Sequence, residues 1–401
     1  MQGRRLSSYG RRIPHHKEPR LQPFYFAVKK TRRKHQEKRS EVLIKMATKY
    51  IEINDDRPKP IIDKRPEDDY KNLDTKAIKE FSFNKSKYFQ IDRNSLIPGS
   101  SVNFNIFIQK GMDFQAVIKA DKESHVALNE ELLNNFHSDA ACEVVISEGD
   151  IHLYRSYLDS LLRSSKSSEK GQAHKKAFVI KENSKMLMKD LLNDPRSGEK
   201  IKEVKNSVNT ITDSLLENKD MIYTMLTLSK YDYYTYTHCV NVAVLSIGLA
   251  IAIGLNKEYI ENLGTGAMLH DIGKTAISSE ILNKQGKLTE YEYKMIQEHV
   301  REGEKILKEN KEIPEEAHSA VLQHHEKLSG KGYPYGLKGE EINLFGRVTG
   351  ISDCYDALTT QRPYKHAFNP YEALKIISKE TEDYDANLLT GFIKMLGKMK
   401  N

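Results

Sequence analysis

The sequence predicts a multi-domain α+β chain in which a small β-rich domain precedes an all-α helical bundle. Three observations carry this expectation. Between about residues 80 and 150, short segments alternate or are β-branched, whereas from about 181 onward apolar residues recur at three- and four-residue intervals. Polar stretches bound these regions: NDDRPKPIIDKRPEDDYKNLDTK at 53–75 and the Ser- and Lys-rich run at 163–180. At 401 residues, with 38% hydrophobic and 30% charged residues, the chain is long enough for two globular units.

Taken in order, residues 1–75 read as a basic, disordered leader and linker, and 76–165 as the β-rich unit. In the latter, Tyr88–Ile91, Val102–Ile108, Ala116–Ile118 and Cys142–Ile146 are the expected strands. Turn signals at Pro98-Gly99 and Lys110-Gly111 separate them, and a helix around Ile151–Leu162 closes the unit. Residues 166–200 read as a hinge or helical linker, and 201–401 as the helical domain.

Charge, cysteine usage and hydropathy narrow the class. The net charge of +7 is uneven: residues 1–50 hold 15 Lys and Arg against 3 Asp and Glu. From totals of 63 and 56, that leaves 48 against 53 for the rest, a mildly acidic body. The arm Arg32, Arg33, Lys34, Lys38 and Arg39 has the composition of a nucleic-acid or anionic-lipid contact, but a solvated leader is the preferred reading. Cys142, Cys239 and Cys354 are too few and too unpatterned for a disulfide framework or a zinc knuckle. Cys239 and Cys354 each follow a candidate ligand, and both read as small packing residues. The longest apolar run, Val242–Leu255, is interrupted by Ser246, Gly248 and Gly254, and at 14 residues it falls short of the roughly 20 of a membrane span. With no signal sequence in evidence, a cytoplasmic location is expected.

Three expected helices bring His and Asp residues onto buried faces. From Tyr259, the positions Ile260, Leu263, Ala267, His270, Asp271 and Lys274 share one face. The next helix opens with Thr289 and Glu292 in a capping-box pattern and buries Ile296, His299, Val300, Gly303, Ile306 and Leu307. His238 shares its face with Val242, Leu245 and Leu249. One inward histidine is usually a hydrogen-bonded core residue. Here His238, His270-Asp271, His299, His324-His325 and Asp353 all fall in one helical region. Burying so many imidazoles and carboxylates costs several kcal/mol, which bound cations offset. Imidazole and carboxylate without thiolate suit Fe, Mn, Zn, Co or Ni, and two such ions fit phosphoryl displacement.

These blocks resemble a known family. HDIGK (270–274), LTEYEYKMIQEHVREGEKIL (288–307), HHEKLSGKGYPYGLKGEEI (324–342) and ISDCYDALTTQRPYK (351–365) are similar to the HD-GYP domain of bacterial cyclic di-GMP phosphodiesterases. DYYTYTHCVNV (232–242) resembles that family's opening segment, and the likeness covers roughly residues 181–397. It implies an all-α HD-GYP catalytic domain behind a β-rich regulatory domain, and metal-dependent hydrolysis of cyclic di-GMP to pGpG or GMP. It implies His238, His270, Asp271, His299, His324 and Asp353 as metal ligands, with Asp271 bridging and Lys274 reaching the scissile phosphate. Arg362 and Lys365 match positions that hold a substrate phosphate, and Asp356 matches a substrate-pocket carboxylate. Gly330, Gly332, Tyr333, Pro334 and Gly336 match the cleft loop, for which diguanylate cyclase (GGDEF) proteins are implied partners; a homodimer is compatible.

The chain departs from the family pattern at three places. Tyr234 stands where some members carry a Glu that supplies a third metal site, so two divalent ions are expected, Fe or Mn first. That leaves His325 either a ligand or a residue behind the ligands. Ser329 and Ala386 replace a usual Asp and Pro. Two rivals are another cyclic dinucleotide or nucleotide as substrate, and a non-catalytic regulator. Retention of Lys274 and of every matched ligand favours the enzyme.

Overall fold

A computed structural model describes residues 87–110, 113–120, 124–137, 143–164, 170–227, 235–284, 286–360 and 367–398. The leader at 1–75, Cys142, Tyr234, Arg362 and Lys365 lie outside the described residues.

The β-branched segments form six strands: β1 (Tyr88–Gln90), β2 (Ser101–Val102), β3 (Ile106–Lys110), β4 (Asp113–Ile118), β5 (Val126–Ala127) and β6 (Glu143–Ser147). Four make an antiparallel sheet in the order β1-β6-β3-β4, while β2 and β5 pair separately. Central β6 is a continuous buried run, Val144-Val145-Ile146, with Ile146 opposite Phe89 and Ile106. Helix α1 (Glu130–His137) precedes β6, and α2 (Ile151–Ser164) covers the sheet with Tyr154, Tyr157 and Leu158. The expected stretch Val102–Ile108 divides into β2 and β3.

The segment read as a hinge contains one continuous helix, α3 (Lys170–Asn193). Its Ser- and Lys-rich composition ends where an apolar period begins at Ala177. Val179 and Met186 enter the core of the β-rich unit, and Ala177, Ile180, Leu187, Met188 and Leu191 enter the helical core. A helix with side chains in both cores ties the two units together.

The helical core is built from α4 (Gly198–Glu217), α5 (Met221–Thr227), α6 (Thr235–Ala252), α7 (Lys257–Leu269), α8 (Ser279–Leu282), α9 (Glu290–Gln297) and α10 (His299–Lys308). It is completed by α11 (Glu315–Gln323), α12 (Leu344–Thr359), α13 (Pro370–Lys379) and α14 (Ala386–Lys398). At the centre, α6 is buried from Thr237 to Ala250 and packs against α3, α7, α12 and α14. Among the described residues it is the one helix long and apolar enough to cross a membrane, but 78% of it is buried inside the protein, as in a core helix.

Two expected helices are interrupted at the site. The stripe through Ile260, Leu263 and Ala267 ends with α7 at Leu269. His270 caps it, and Asp271 turns the chain (φ −99°, ψ 6°) into a 3-10 segment, Ile272–Ala276. Close packing accounts for the tighter turn: a Cβ on Gly273 would lie 1.9 Å from the His299 carbonyl oxygen. The Thr289–Glu292 capping box forms as expected, but the helix pauses at Glu298, so His299 opens α10.

Candidate metal centre

Three of the clustered histidines stand at the ends of helices, where the last carbonyls lack intrahelical partners. His270 follows α7 and its Nδ1 lies 2.8 Å from the Ala267 carbonyl. His299 follows α9, with Nδ1 2.7 Å from the Ile296 carbonyl, and His324 follows α11, with Nδ1 2.8 Å from the Val321 carbonyl. A carbonyl only accepts, so each Nδ1 carries the hydrogen and each neutral ring presents its Nε2 lone pair inward. Burial holds His299 below the ordinary histidine range and His324 well below it, keeping both neutral.

His238 lies in the first turn of α6. Its Nδ1 donates instead to Asp356 of α12 at 2.7 Å, and its Nε2 is 3.0 Å from Asp353 Oδ1. Burial opposes charge on this ring, but the two carboxylates outweigh it and raise it to about 10. Asp271 is buried, yet Lys274, His270 and His299 overcome the cost of burial and hold its carboxyl well below the usual range.

The four Nε2 atoms and the carboxylates converge. Asp271 Oδ2 is 3.3 Å from His270 Nε2 and 3.7 Å from His238 Nε2, while its Oδ1 is 3.3 Å from His299 Nε2. The Nε2 atoms of His299 and His324 are 3.4 Å apart. His270 Nε2 and Asp271 Oδ1 have no hydrogen-bond partner although both are buried. Lone pairs facing lone pairs, and orphaned buried acceptors, are unfavourable unless cations lie among them. Among the described residues, three groups have donor atoms within 4.8 Å of one another: His238, His270 and Asp353; His270, Asp271 and His324; and His299, His324 and His325. The donor set therefore fits divalent transition metals.

Exposure is uneven across the cluster. The side chains of His238, His270, Asp271 and His299 are at most 3% exposed, against 15% for Asp353, 23% for Lys274 and 27% for His325. Lys274 Nζ sits 2.6 Å from Asp271 Oδ2. The Tyr333 ring stacks on His325 at 4.6 Å. Its loop is anchored by buried Glu326, which accepts from the backbone N–H groups of Tyr335 (2.7 Å) and Leu337 (3.0 Å). Gly332 permits the fold-back, since a Cβ there would lie 2.4 Å from the Glu326 Cα. Ser329 bonds Asp383, keeping a polar tie where the family's usual Asp is replaced.

Asp356, expected as a substrate-pocket carboxylate, is buried beside His238, with Oδ2 on that ring and Oδ1 accepting from Asn241 (2.9 Å) and Thr360 (3.2 Å). These contacts orient the His238 ring. Asn241, Thr360 and Glu326 were missed, as was Lys181 of α3, a buried amine lying within the field of Asp356. Burial, then Lys185, lower Lys181 to about 7 against the pull of Asp356, Asp92 and Glu182. The spacing offered one signal: Asp353 and Asp356 share a helical face, as do His238 and Asn241.

Residues 220–388 match the family model described as an HD domain. Over 223 residues the chain is 33% identical to a cyclic di-GMP phosphodiesterase of Pseudomonas aeruginosa, covering 55% of this chain and 54% of that protein. Residues 220–388 are thus similar to an HD domain, consistent with the HD-GYP resemblance of the motifs. It is also 39% identical over 146 residues to a 3′3′-cGAMP-specific phosphodiesterase of Vibrio cholerae, covering 36% of this chain and 32% of that one. It thus spans about half the length of the first relative and a third of the second. The fold is similar to that of an HDG“Y”P protein from Bdellovibrio bacteriovorus, with a TM-score of 0.60 at 18% identity, covering 77% of this chain and 99% of that one. HD domains are metal-dependent, which accords with the donor set.

Proposed function

We propose that this chain is a metal-dependent phosphodiesterase that opens cyclic di-GMP at a 3′–5′ phosphodiester, giving linear pGpG and, on further cleavage, GMP. The observation that carries this reading is the convergence of four Nε2 atoms whose Nδ1 partners are already fixed, around a carboxylate with one oxygen toward each group. His238, His270 and Asp353 would hold one divalent ion, and His299 and His324, with His325 beside them, a second; Asp271 lies between. The ligand types suit Fe, Mn, Zn, Co or Ni, and Fe or Mn is proposed first on the family resemblance. Such ions supply Lewis-acid charge to a phosphate oxygen and a water activated at neutral pH.

The chain's own residues perform the rest. Asp356 and the helix-end carbonyls keep the imidazoles aimed. Lys274, on Asp271, places a cation where charge develops on the phosphate and where the departing 3′-oxygen takes a proton. Arg362 and Lys365, outside the described residues, are proposed to grip the second phosphate, and the Gly332-Tyr333-Pro334 loop walls the cleft. The Vibrio cholerae relative favours one alternative, a mixed GMP–AMP cyclic dinucleotide as substrate.

Protein purified without oxygen should contain two ions per chain by elemental analysis and turn over cyclic di-GMP, with 3′3′-cGAMP assayed alongside. His270→Ala or Asp271→Ala should lose both metal and turnover. Full metal content with retained turnover in either variant rejects this centre, and turnover of 3′3′-cGAMP alone transfers the assignment to that substrate.

A further inference from the structure

Helix α9 contributes nothing to the core. None of its residues is buried, although it carries Tyr291, Tyr293 and Met295, which are 71%, 49% and 36% exposed. Among the described residues seven large apolar side chains are exposed, and five of them, Leu282, Tyr291, Tyr293, Met295 and Tyr335, come from α8, α9 and the loop after His325. The helix is held by polar means: the Thr289–Glu292 capping box and a 2.6 Å ion pair from Lys284 to Glu292. Packing therefore does not account for the aromatic residues of α9, and exposed apolar groups concentrated beside a cleft mark a binding surface.

One of these rings reaches the site. Tyr293 lies edge-on to Tyr333 at 6.4 Å, and Tyr333 in turn stacks on His325 at 4.6 Å. A continuous row of rings thus runs from a histidine of the cluster out to a half-exposed tyrosine. In a cyclic dinucleotide each base is one ribose away from a phosphate. A base tethered to a phosphate at the metal centre stays near it, and Tyr293 is the exposed end of the ring row that begins at His325. We propose that Tyr293, backed by Tyr333, is a stacking platform for a purine base of the cyclic dinucleotide and sets its affinity. This rests on the phosphodiesterase reading above and adds to it a residue that binds the base and takes no part in bond cleavage. Aromatic platforms suit this role because every base has a π face, and stacking requires no particular hydrogen-bond pattern.

The test compares Tyr293→Ala, Tyr293→Gln, Tyr293→Phe and Tyr293→Trp in the metal-loaded full chain. Cyclic di-GMP is the substrate, and bis(4-nitrophenyl) phosphate is a diester without bases. Because Tyr293 is not buried, all four variants should melt with the parent. The Ala and Gln variants should raise KM for cyclic di-GMP about tenfold, equivalent to 1.4 kcal/mol, with kcat within about twofold, and Phe and Trp should restore KM. The ratio of kcat/KM for cyclic di-GMP to that for the base-free diester should fall in step. An unchanged KM in the Ala and Gln variants overturns the platform and leaves the face to a protein partner. A fall in kcat alone overturns it too, assigning Tyr293 to the placement of His299. If the parent cleaves the base-free diester and no cyclic dinucleotide, the cyclic dinucleotide assignment fails first, and the platform falls with it.

Discussion

Replacing Asp356 by Asn should change how many protons leave when the centre takes up metal. In the metal-free protein, burial disfavours charge on His238, but Asp353 and Asp356 overcome it and raise the ring to about 10. Burial lowers His299 and His324 and brings His325 to about 3, while Asp271 and Asp353 are held well below the carboxylate range. At pH 8 those three rings are neutral and those two carboxylates ionised, so none of them has a proton to give. His238 does have one, and ligation through its Nε2 requires that this proton leave. Lowering the pH from about 10 to 8 thus costs about 3 kcal/mol of metal affinity at roughly 1.4 kcal/mol per unit. Apparent affinity should rise about tenfold per pH unit across this range, with about one proton released per chain.

Calorimetric titration of chelator-treated protein with Mn²⁺ in two buffers of different ionisation enthalpy measures the released protons directly. Asn at 356 keeps an acceptor for Nδ1 but removes the charge, so His238 falls toward its ordinary value and the release at pH 8 drops. The less basic ring should also bind metal about 10- to 100-fold more weakly at high pH. Stability has the matching sign. In metal-free protein the charged His238 stabilises the fold in full below its unfolded value near 6.5, and that contribution is lost as pH rises through about 10. No proton release from the parent, or the same release from Asp356→Asn, refutes this account of the ring.

Lys274→Ala should retain its metal but slow turnover about 10²- to 10³-fold, as for loss of one donor aimed at developing charge; steady-state kinetics with elemental analysis checks both. Gly273→Ala should destabilise the chain by ~1–3 kcal/mol and lower metal content, because the added methyl meets the His299 carbonyl and the Gly303 N–H; a thermal melt and metal assay of one preparation test this.

The periodicity of the sequence sufficed to place His238 and His299 on buried faces and to separate the β-rich segments from the helices. It did not show that α7 stops at His270, because the cause is a contact with α10 that is distant in sequence: Gly273 lies against the His299 carbonyl. The reading of a hinge or helical linker at 166–200 rested on composition, which carries no sign that side chains from Ala177 to Leu191 enter two cores. Asp356 shows a different limit. Its spacing from Asp353 put both on one face of α12, but a linear pattern cannot say which carboxylate faces the cations and which lies behind the ring.

The three helix-end histidines suggest how the centre is assembled at low cost. Each Nδ1 bond spans three residues, so forming the last turn of α7, α9 or α11 fixes a tautomer before distant parts of the chain meet. The negative ends of the α7 and α11 dipoles also point toward the cluster, which favours positive charge there. His238 takes its carboxylate partners from α12, which brings Asp356 and Asp353 together onto α6. Docking of α12 on α6 is therefore the step that completes the ligand set. The close approach of the His299 and His324 Nε2 atoms and the unpartnered Asp271 Oδ1 beside it are what cations relieve. Metal binding and the seating of α12 should consequently be thermodynamically coupled, with the cation stabilising the interface that creates its own site.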